Sequence, residues 1–495
     1  MTSSQPSTTV FLRGRIYSPS APDATAMAVT GGIISWIGQD APARALHPDA
    51  ALVDLGGAFV APAFVDAHVH ATAAGLQLTG LDLSVAADLG QCLAVLRDHV
   101  AAHPGELIWG HGWDETRWPE RRAPSRSEVD AVAGGAAVYL SRIDVHSALV
   151  SSAMLSAAPD ASRAEGFDPA GPVSRTAHHR LRRVATESLS QAQCISAQRG
   201  FLQHAAANGV ACVHECAGPD VSGERDLTGL LALGGTTGMP EVVGYWGELG
   251  AVDTAVRLGA RGAAGDLFVD GALGSRTAAL REPYSDAPRS CGSRYLDAAQ
   301  IAEHVCACTE AGIQAGFHVI GDAAMGEVIE GLHRAAGRVG RAALAARAHR
   351  LEHVEMVTEQ QAATLARYGI TASMQPLFDH AWGGTERAYA QRLGVERAAA
   401  LNPFAMLARA GVLLAFGSDT PVTPVNPWAS VRAAMSHRTA RHAISARAAL
   451  TAHTRAGWRA AGGRVSNTGT LVPGAEATFA VWEAGELTLQ APDPR

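Results

Sequence analysis

Five residues of this chain have the types and surroundings that bind a divalent ion and activate water: His68, His70, His318, His353 and Asp419. The first two stand in AFVDAHVHATA, residues 63–73. A strand carries residues i, i+2 and i+4 on one face. Phe64, Asp66, His68 and His70 therefore share a face, and Val65, Ala67 and Val69 share the other. Two imidazoles side by side on a strand are spaced to hold one ion. A chain with 20 histidines also produces His-x-His by chance, so the rest of the set decides. GFHVIGD supplies His318, RLEHVEM supplies His353, and LLAFGSDTPV supplies Asp419 after an apolar run. Imidazole and carboxylate suit Zn²⁺ and similar ions. Such an ion lowers the pKa of its water to roughly 7 and polarises a carbonyl. A carboxylate touching that water, as Asp419 would, takes its proton and passes it to a leaving amine. The chemistry is metal-assisted hydrolysis of a carbon–nitrogen bond or an equivalent.

These residues need a frame that gathers distant segments. Strand-like runs fall at 63–70, 136–144, 211–217, 266–271, 315–321, 349–356, 370–376 and 412–419, with helix-like stretches between them. AAMGEVIEGLHRAAGRVG and TEQQAATLARYG are examples, the latter ending in a glycine suited to a helix C-cap. Eight strands alternating with helices predict an α/β fold, a (β/α)8 TIM-type barrel. Functional residues then belong at the C-terminal ends of the strands, where all five lie. The long gaps after the first and second strands read as insertions over the barrel mouth. Residues 8–60 and 469–485 read as short strands punctuated by Gly and Pro, each too small for a stable sheet. The expected organisation is a small β-sandwich from both chain ends, residues 1–60 and 465–495, flanking a barrel over 61–464.

Composition agrees with a folded enzyme. Of 495 residues, 47% are hydrophobic and 18% charged, which excludes a disordered chain. The formal charge of −7 offers no footprint for nucleic acid or an anionic membrane. The N-terminus lacks a signal-peptide pattern, and no apolar stretch is long enough to span a membrane. The seven cysteines contain no C-x-x-C pair, which favours reduced thiols and a cytoplasmic location. Cys306 and Cys308 fall in a helical segment, where buried packing is the expectation.

GHGWDETRW (110–118), SRIDVHSALVSSAML (141–155), DGALGSRTAALREPY (270–284), HVIGDAA (318–324), EHVEMVT (352–358) and GSDTPVTPVNPW (417–428) carry a resemblance. The chain resembles the amidohydrolase superfamily, and within it the amidohydrolase-3 group that includes N-substituted formamide deformylase-like enzymes. The likeness runs from about residue 8 to 483. It implies a metal-dependent hydrolase with ligands His68, His70, His318 and His353 and a catalytic Asp419. Homodimer formation is an expectation of the family only.

One departure is chemical. The group typically places a lysine four residues before the DG of the fourth strand, where carboxylation lets it bridge two metals. Here Asp266 stands in that place, and the chain has no lysine anywhere. A lysine carbamate is therefore impossible. Asp266 is much shorter, and a structural role at the strand start is the simpler expectation. Two site models follow. In the favoured one, a single ion is held by His68, His70, His318 and Asp419, while His353 bonds the attacking water or the substrate. In the other, a second ion uses His318 and His353 with help from Asp266 or Glu215. Only one of His214 and Glu215 can face the barrel interior.

Weaker candidates are Trp113 (with Asp114 and Trp118) and His146 (with Arg142 and Asp144) as substrate contacts, and Arg276 as the holder of a substrate carboxylate. Asp66 is expected to orient a ligand histidine. The expected activity is hydrolysis of an amide, formamide or cyclic amide of a small molecule. Deamination of an aminated heterocycle and a catalytically inactive barrel with a binding role are the alternatives.

Overall fold

The computed structural model describes residues 7–462 and 467–483. Its centre is one sheet of eight parallel strands: β1 (Phe64–Val69), β2 (Val210–Ala217), β3 (Glu241–Trp246), β4 (Gly262–Ala263), β5 (Gln314–Val319), β6 (Arg350–His353), β7 (Thr371–Met374) and β8 (Leu413–Phe416). Neighbours in sequence are neighbours in space throughout. A parallel bridge between Val69 and Thr420 joins the end of β1 to the segment after β8 and closes the barrel. Every residue of β1, β5, β6 and β7 is buried. This is the burial required of strands that face a filled interior on one side and helices on the other. The helices Ala298–Ala311 and Asp322–Val339 flank β5 and pack on each other, with Ile301, Val305, Val328 and Leu332 in the shared core.

Two strands differ from the expectation. The run at 136–144 does form a strand, Val138–Arg142, but outside the barrel. It lies in a five-stranded sheet with Leu81–Asp82, Ile108–Trp113, Ser147–Val150 and Val173–Ser174. The barrel strand missing from the expected set is Glu241–Trp246, EVVGYW. An apolar run reads the same whichever sheet receives it, so periodicity could not assign either one. The added sheet thus falls wholly between β1 and β2. The run at 266–271 is not itself a strand. It follows the two-residue β4 and touches β5 by one bridge, Phe268 to His318.

Two further sheets lie outside the barrel. One has four strands: Ile33–Gly38, Ala26–Thr30, Thr8–Leu12 and Ala51–Asp54. The other joins Arg15–Ile16, Phe59–Pro62 and Phe479–Trp482, the last two antiparallel. Ile16, Met27, Ile34, Val60 and Leu471 form a common apolar cluster there. The expected boundary at 464/465 and the stretch 484–495 lie outside the described residues. All seven cysteines are free thiols, and all but Cys291 are buried. Among the described residues no helix is long and apolar enough to cross a membrane.

Candidate metal centre

The C-terminal ends of β1, β5, β6 and β8 bring His68, His70, His318, His353 and Asp419 together around Asp266. His70 Nε2 lies 3.2 Å from Asp266 Oδ2 and 3.1 Å from Asp419 Oδ1. His68 Nε2 lies 3.5 Å from Asp266 Oδ1 and 3.4 Å from Asp419 Oδ1. His318 Nδ1 and His353 Nε2 are each 3.8 Å from Asp266 Oδ1. Asp266 is thus no peripheral strand-start carboxylate but the hub of the cluster. Glu215 takes no part. It accepts a hydrogen bond from the Ala71 amide (2.7 Å), while its neighbour His214 bonds Arg350 inside the barrel.

The backbone around the centre is shaped for it. Asp419 and His353 both adopt left-handed backbone, φ 54° and 72°, which costs a non-glycine residue energy and is kept where the surroundings demand it. At His353 the turn ends the strand alternation that would have set it opposite Glu352. The Asp419 amide donates to His68 O (2.8 Å) and the His70 amide to Thr420 O (3.0 Å), which laces the loop after β8 onto β1. Gly417 allows this approach, since a Cβ there would sit 2.5 Å from the His68 amide nitrogen. Asp66 acts on backbone rather than on a ligand ring: its Oδ1 accepts from the Ser418 amide (2.8 Å) and, at 3.4 Å, from that of His68. Asp270 does the same on the other side, accepting from the amides of Ala279, Ile320 and Gly321 at 2.7–3.0 Å.

Three of the histidine rings are oriented from behind. His68 Nδ1 lies 2.9 Å from Glu352 Oε2, and Arg350 grips Glu352 with Nε and Nη2 at 2.6 and 2.8 Å. His353 Nδ1 bonds Gln375 Oε1 at 2.8 Å. His318 Nε2 faces Gly271 O at 3.3 Å. Each contact fixes the tautomer and leaves the other nitrogen toward the centre, as outer partners of metal-bound histidines do. Arg350, Glu352 and Gln375 were not anticipated. Arg350 and Glu352 do share a face of RLEH at spacing i, i+2, a pattern visible in the chain, but nothing local links them to His68.

The donor atoms fit a metal. His68 Nε2, His318 Nδ1, Asp266 Oδ1 and Asp419 Oδ1 are buried and have no hydrogen-bond partner. Unpaired buried polar atoms are costly, and these four are donor types that a divalent cation would satisfy. Four buried groups of three could each hold an ion: His68–His70–Asp266, Asp266–His318–His353, His68–His353–Asp419 and His68–Cys216–Glu352, with Asp266 common to the first two. Burial works against charge on His70, yet Asp266 and Asp419 outweigh it and hold its pKa up at about 9. Burial would also lift Asp266, but the surrounding histidines, His68 foremost, keep it well below the usual carboxylate range. His318 is pushed well below its usual value by burial and then by His353, leaving a neutral nitrogen. A bound ion would take the place of the proton that the two carboxylates favour on His70.

A cavity opens beside this centre, lined in part by His318, His353, Asp419, Asp114, Arg142 and His146. The His146 ring is 5.1 Å from that of His318. Trp113 is not in it. Its indole is buried in a satellite core with Trp118 and Leu140, and its Nε1 donates to Leu140 O. Arg276 is also outside, half-exposed and bonded twice to Asp286.

A family model described as Amidohydrolase family matches residues 51–495. The chain belongs to the amidohydrolase family. Among the relatives of this amidohydrolase, Protein LONG AFTER FAR-RED 3 of Arabidopsis thaliana is 28% identical, the match covering 84% of this chain and 75% of that one. N-substituted formamide deformylase of Arthrobacter pascens is 24% identical, over 82% and 80%. An uncharacterized metal-dependent hydrolase from Pyrococcus furiosus has a solved structure that superposes with TM-score 0.75 at 25% identity, covering 97% of this chain and 99% of that one. With the four histidines and two aspartates of its centre, this amidohydrolase has the donor set of a metal-dependent hydrolase.

Proposed function

We propose that this protein hydrolyses an amide-type carbon–nitrogen bond of a small molecule, at a centre where His68, His70, His318, His353 and Asp266 would hold divalent metal. The observation that carries the reading is the position of Asp266, within 3.2–3.8 Å of a ring nitrogen on each of four histidines. One carboxylate shared by two triads replaces the carbamate that a lysine-free chain cannot make. This departs from the single-ion expectation, which rested on Asp266 being too short to reach. Zinc is the expected metal, from the imidazole and carboxylate donors. When bound, the ions supply Lewis acidity and a lowered pKa for water.

The chain's own residues do the rest. Asp419 Oδ1, buried and without a hydrogen-bond partner, takes a proton from the attacking water. The new bond joins the water oxygen to the carbonyl carbon. Asp419 then returns the proton to the nitrogen as the carbon–nitrogen bond breaks, and an acid and an amine leave. Gln375 holds His353 by Nδ1, so its Nε2 faces the reacting centre. The relative named N-substituted formamide deformylase supports the bond class. The complete donor set favours catalysis over an inactive barrel. The test is metal stoichiometry of the native protein together with turnover of an amide panel. Two equivalents of metal and release of amine support the proposal. Ammonia released from an aminated heterocycle would favour deamination, and the absence of any metal would remove the mechanism.

A further inference from the structure

The part of the cavity remote from the donor atoms has a distinct character. The whole cavity measures about 540 Å³ with its open mouth counted. One wall is a chain of rings on the helices that follow β7, Pro376–Trp382 and Ala388–Leu393. Phe378 lies parallel to the His353 ring, with centroids 5.9 Å apart and planes 10° from each other. Trp382 packs on the edge of Phe378 at 5.1 Å, and Tyr389 stands 6.1 Å beyond it. Tyr389 neighbours Glu355, which accepts from Asn402 Nδ2 at 3.2 Å. Ala272, Leu273, Ile320 and Val422 add apolar surface.

The charged side chains of the cavity are engaged with one another. Arg142 donates to Asp114, Glu115 and Asp144 at 3.0–3.3 Å. Arg392 donates to Asp286 (2.6 Å) and to Gly274 O, and Arg276 holds the same Asp286 from outside. Two guanidinium groups, Arg142 and Arg392, thus line the cavity with four carboxylates, Asp114, Asp144, Glu355 and Asp419. A substrate carboxylate entering here would meet an excess of like charge and would have to break an existing pair. An aryl or alkyl group would cover apolar ring faces that line the cavity, at a gain that scales with the area covered.

We propose that the Phe378–Trp382–Tyr389 wall makes this site specific for amides whose nitrogen substituent is apolar and uncharged, and that substrates bearing a carboxylate there are rejected. This rests on the amide-hydrolysis reading, and the experiment separates the two. The metal-loaded protein is titrated by calorimetry with two unreactive amide isosteres, N-phenyl- and N-carboxymethyl-methanesulfonamide. In parallel, kcat/KM is measured for the matching acetamides. The phenyl isostere is expected to bind at least tenfold more tightly. Trp382→Ala should cut that preference about tenfold, and turnover should change through KM rather than kcat. Phe378→Leu serves as a second variant and should reduce the preference in the same sense. Equal or tighter binding of the carboxymethyl compound, or a preference unchanged in both variants, overturns the inference. If the isosteres behave as expected but no acetamide is cleaved, the specificity stands and the bond class is wrong.

Discussion

Glu352 Oε2 lies 2.9 Å from Nδ1 of His68, both side chains wholly buried. The contact ends a relay that starts at Arg350, whose guanidinium spans both Glu352 oxygens and the Ala67 carbonyl. Arg350 also stacks over Tyr245, 4.3 Å from the ring centre. The pair therefore braces the barrel interior and the His68 ring at once. The neighbouring Arg350 and His68 keep Glu352 ionised well below its usual range, against the opposing effect of burial.

Glu352→Gln should damage both roles. It leaves Arg350 without its carboxylate, an uncompensated buried charge that costs about 3–5 kcal/mol. It also removes the anion behind His68, which should weaken metal binding about 10–100-fold. Urea midpoints of the metal-free protein and chelator competition on the loaded protein read the two effects separately.

Asp266→Asn keeps the shape of the bridging side chain and removes its charge. The expected result is loss of at least one of two metal equivalents, measured by elemental analysis, and a fall in kcat of about 10² or more. Retention of two ions at wild-type affinity would contradict a bridging role for this carboxylate.

Asp419→Asn should lower kcat by about 10²–10⁴ with a much smaller change in KM. The loss belongs to proton transfer if small primary amines or azide added to the assay restore part of the rate.

Gly417 and Gly337 make a matched pair. An alanine at 417 would place its Cβ 2.5 Å from the His68 amide nitrogen and 3.0 Å from Asp66 Oδ1. Gly417→Ala should therefore push the Asp419 loop off β1 and weaken metal binding at least tenfold. Gly337 lies inside the helix Asp322–Val339 with nothing within 4 Å of a new Cβ. Gly337→Ala should stabilise the protein by about 0.5–1 kcal/mol, seen as a higher thermal midpoint and unchanged metal content.

The protein should lose stability in mild acid through buried neutral histidines. Burial lowers His349 to about 3 and His453 to about 4. His349 Nδ1 accepts the Ala315 amide at 2.8 Å, a bond that protonation of Nδ1 destroys. Both folded values lie below the ordinary 6.5, so the unfolded chain binds more protons between them. The associated stability is complete above about pH 6.5 and is lost as pH falls toward 4 and below. Urea midpoints across that window should fall, and His349→Asn should make the slope shallower by up to about one proton.

Much of the centre could be recognised from linear spacing alone. His-x-His on a strand, the single histidines of GFHVIGD and RLEHVEM, and Asp419 after an apolar run each carry a local signature, because strand alternation and strand-end position are properties of a few adjacent residues. The absence of lysine excluded a carbamate without any structure. What required tertiary structure was every relation between segments. Asp266 looked too short for a bridge because its reach was judged from side-chain length. In fact β4 ends early and the chain after it runs inward, so the backbone carries the carboxylate to the four rings. Arg350, Glu352 and Gln375 acquire meaning only where the barrel closes and their partners arrive. Val138–Arg142 left the expected barrel for another sheet, and Glu241–Trp246, absent from the expected strands, took the place in the barrel: alternation specifies a strand, while packing between distant elements decides which sheet it joins.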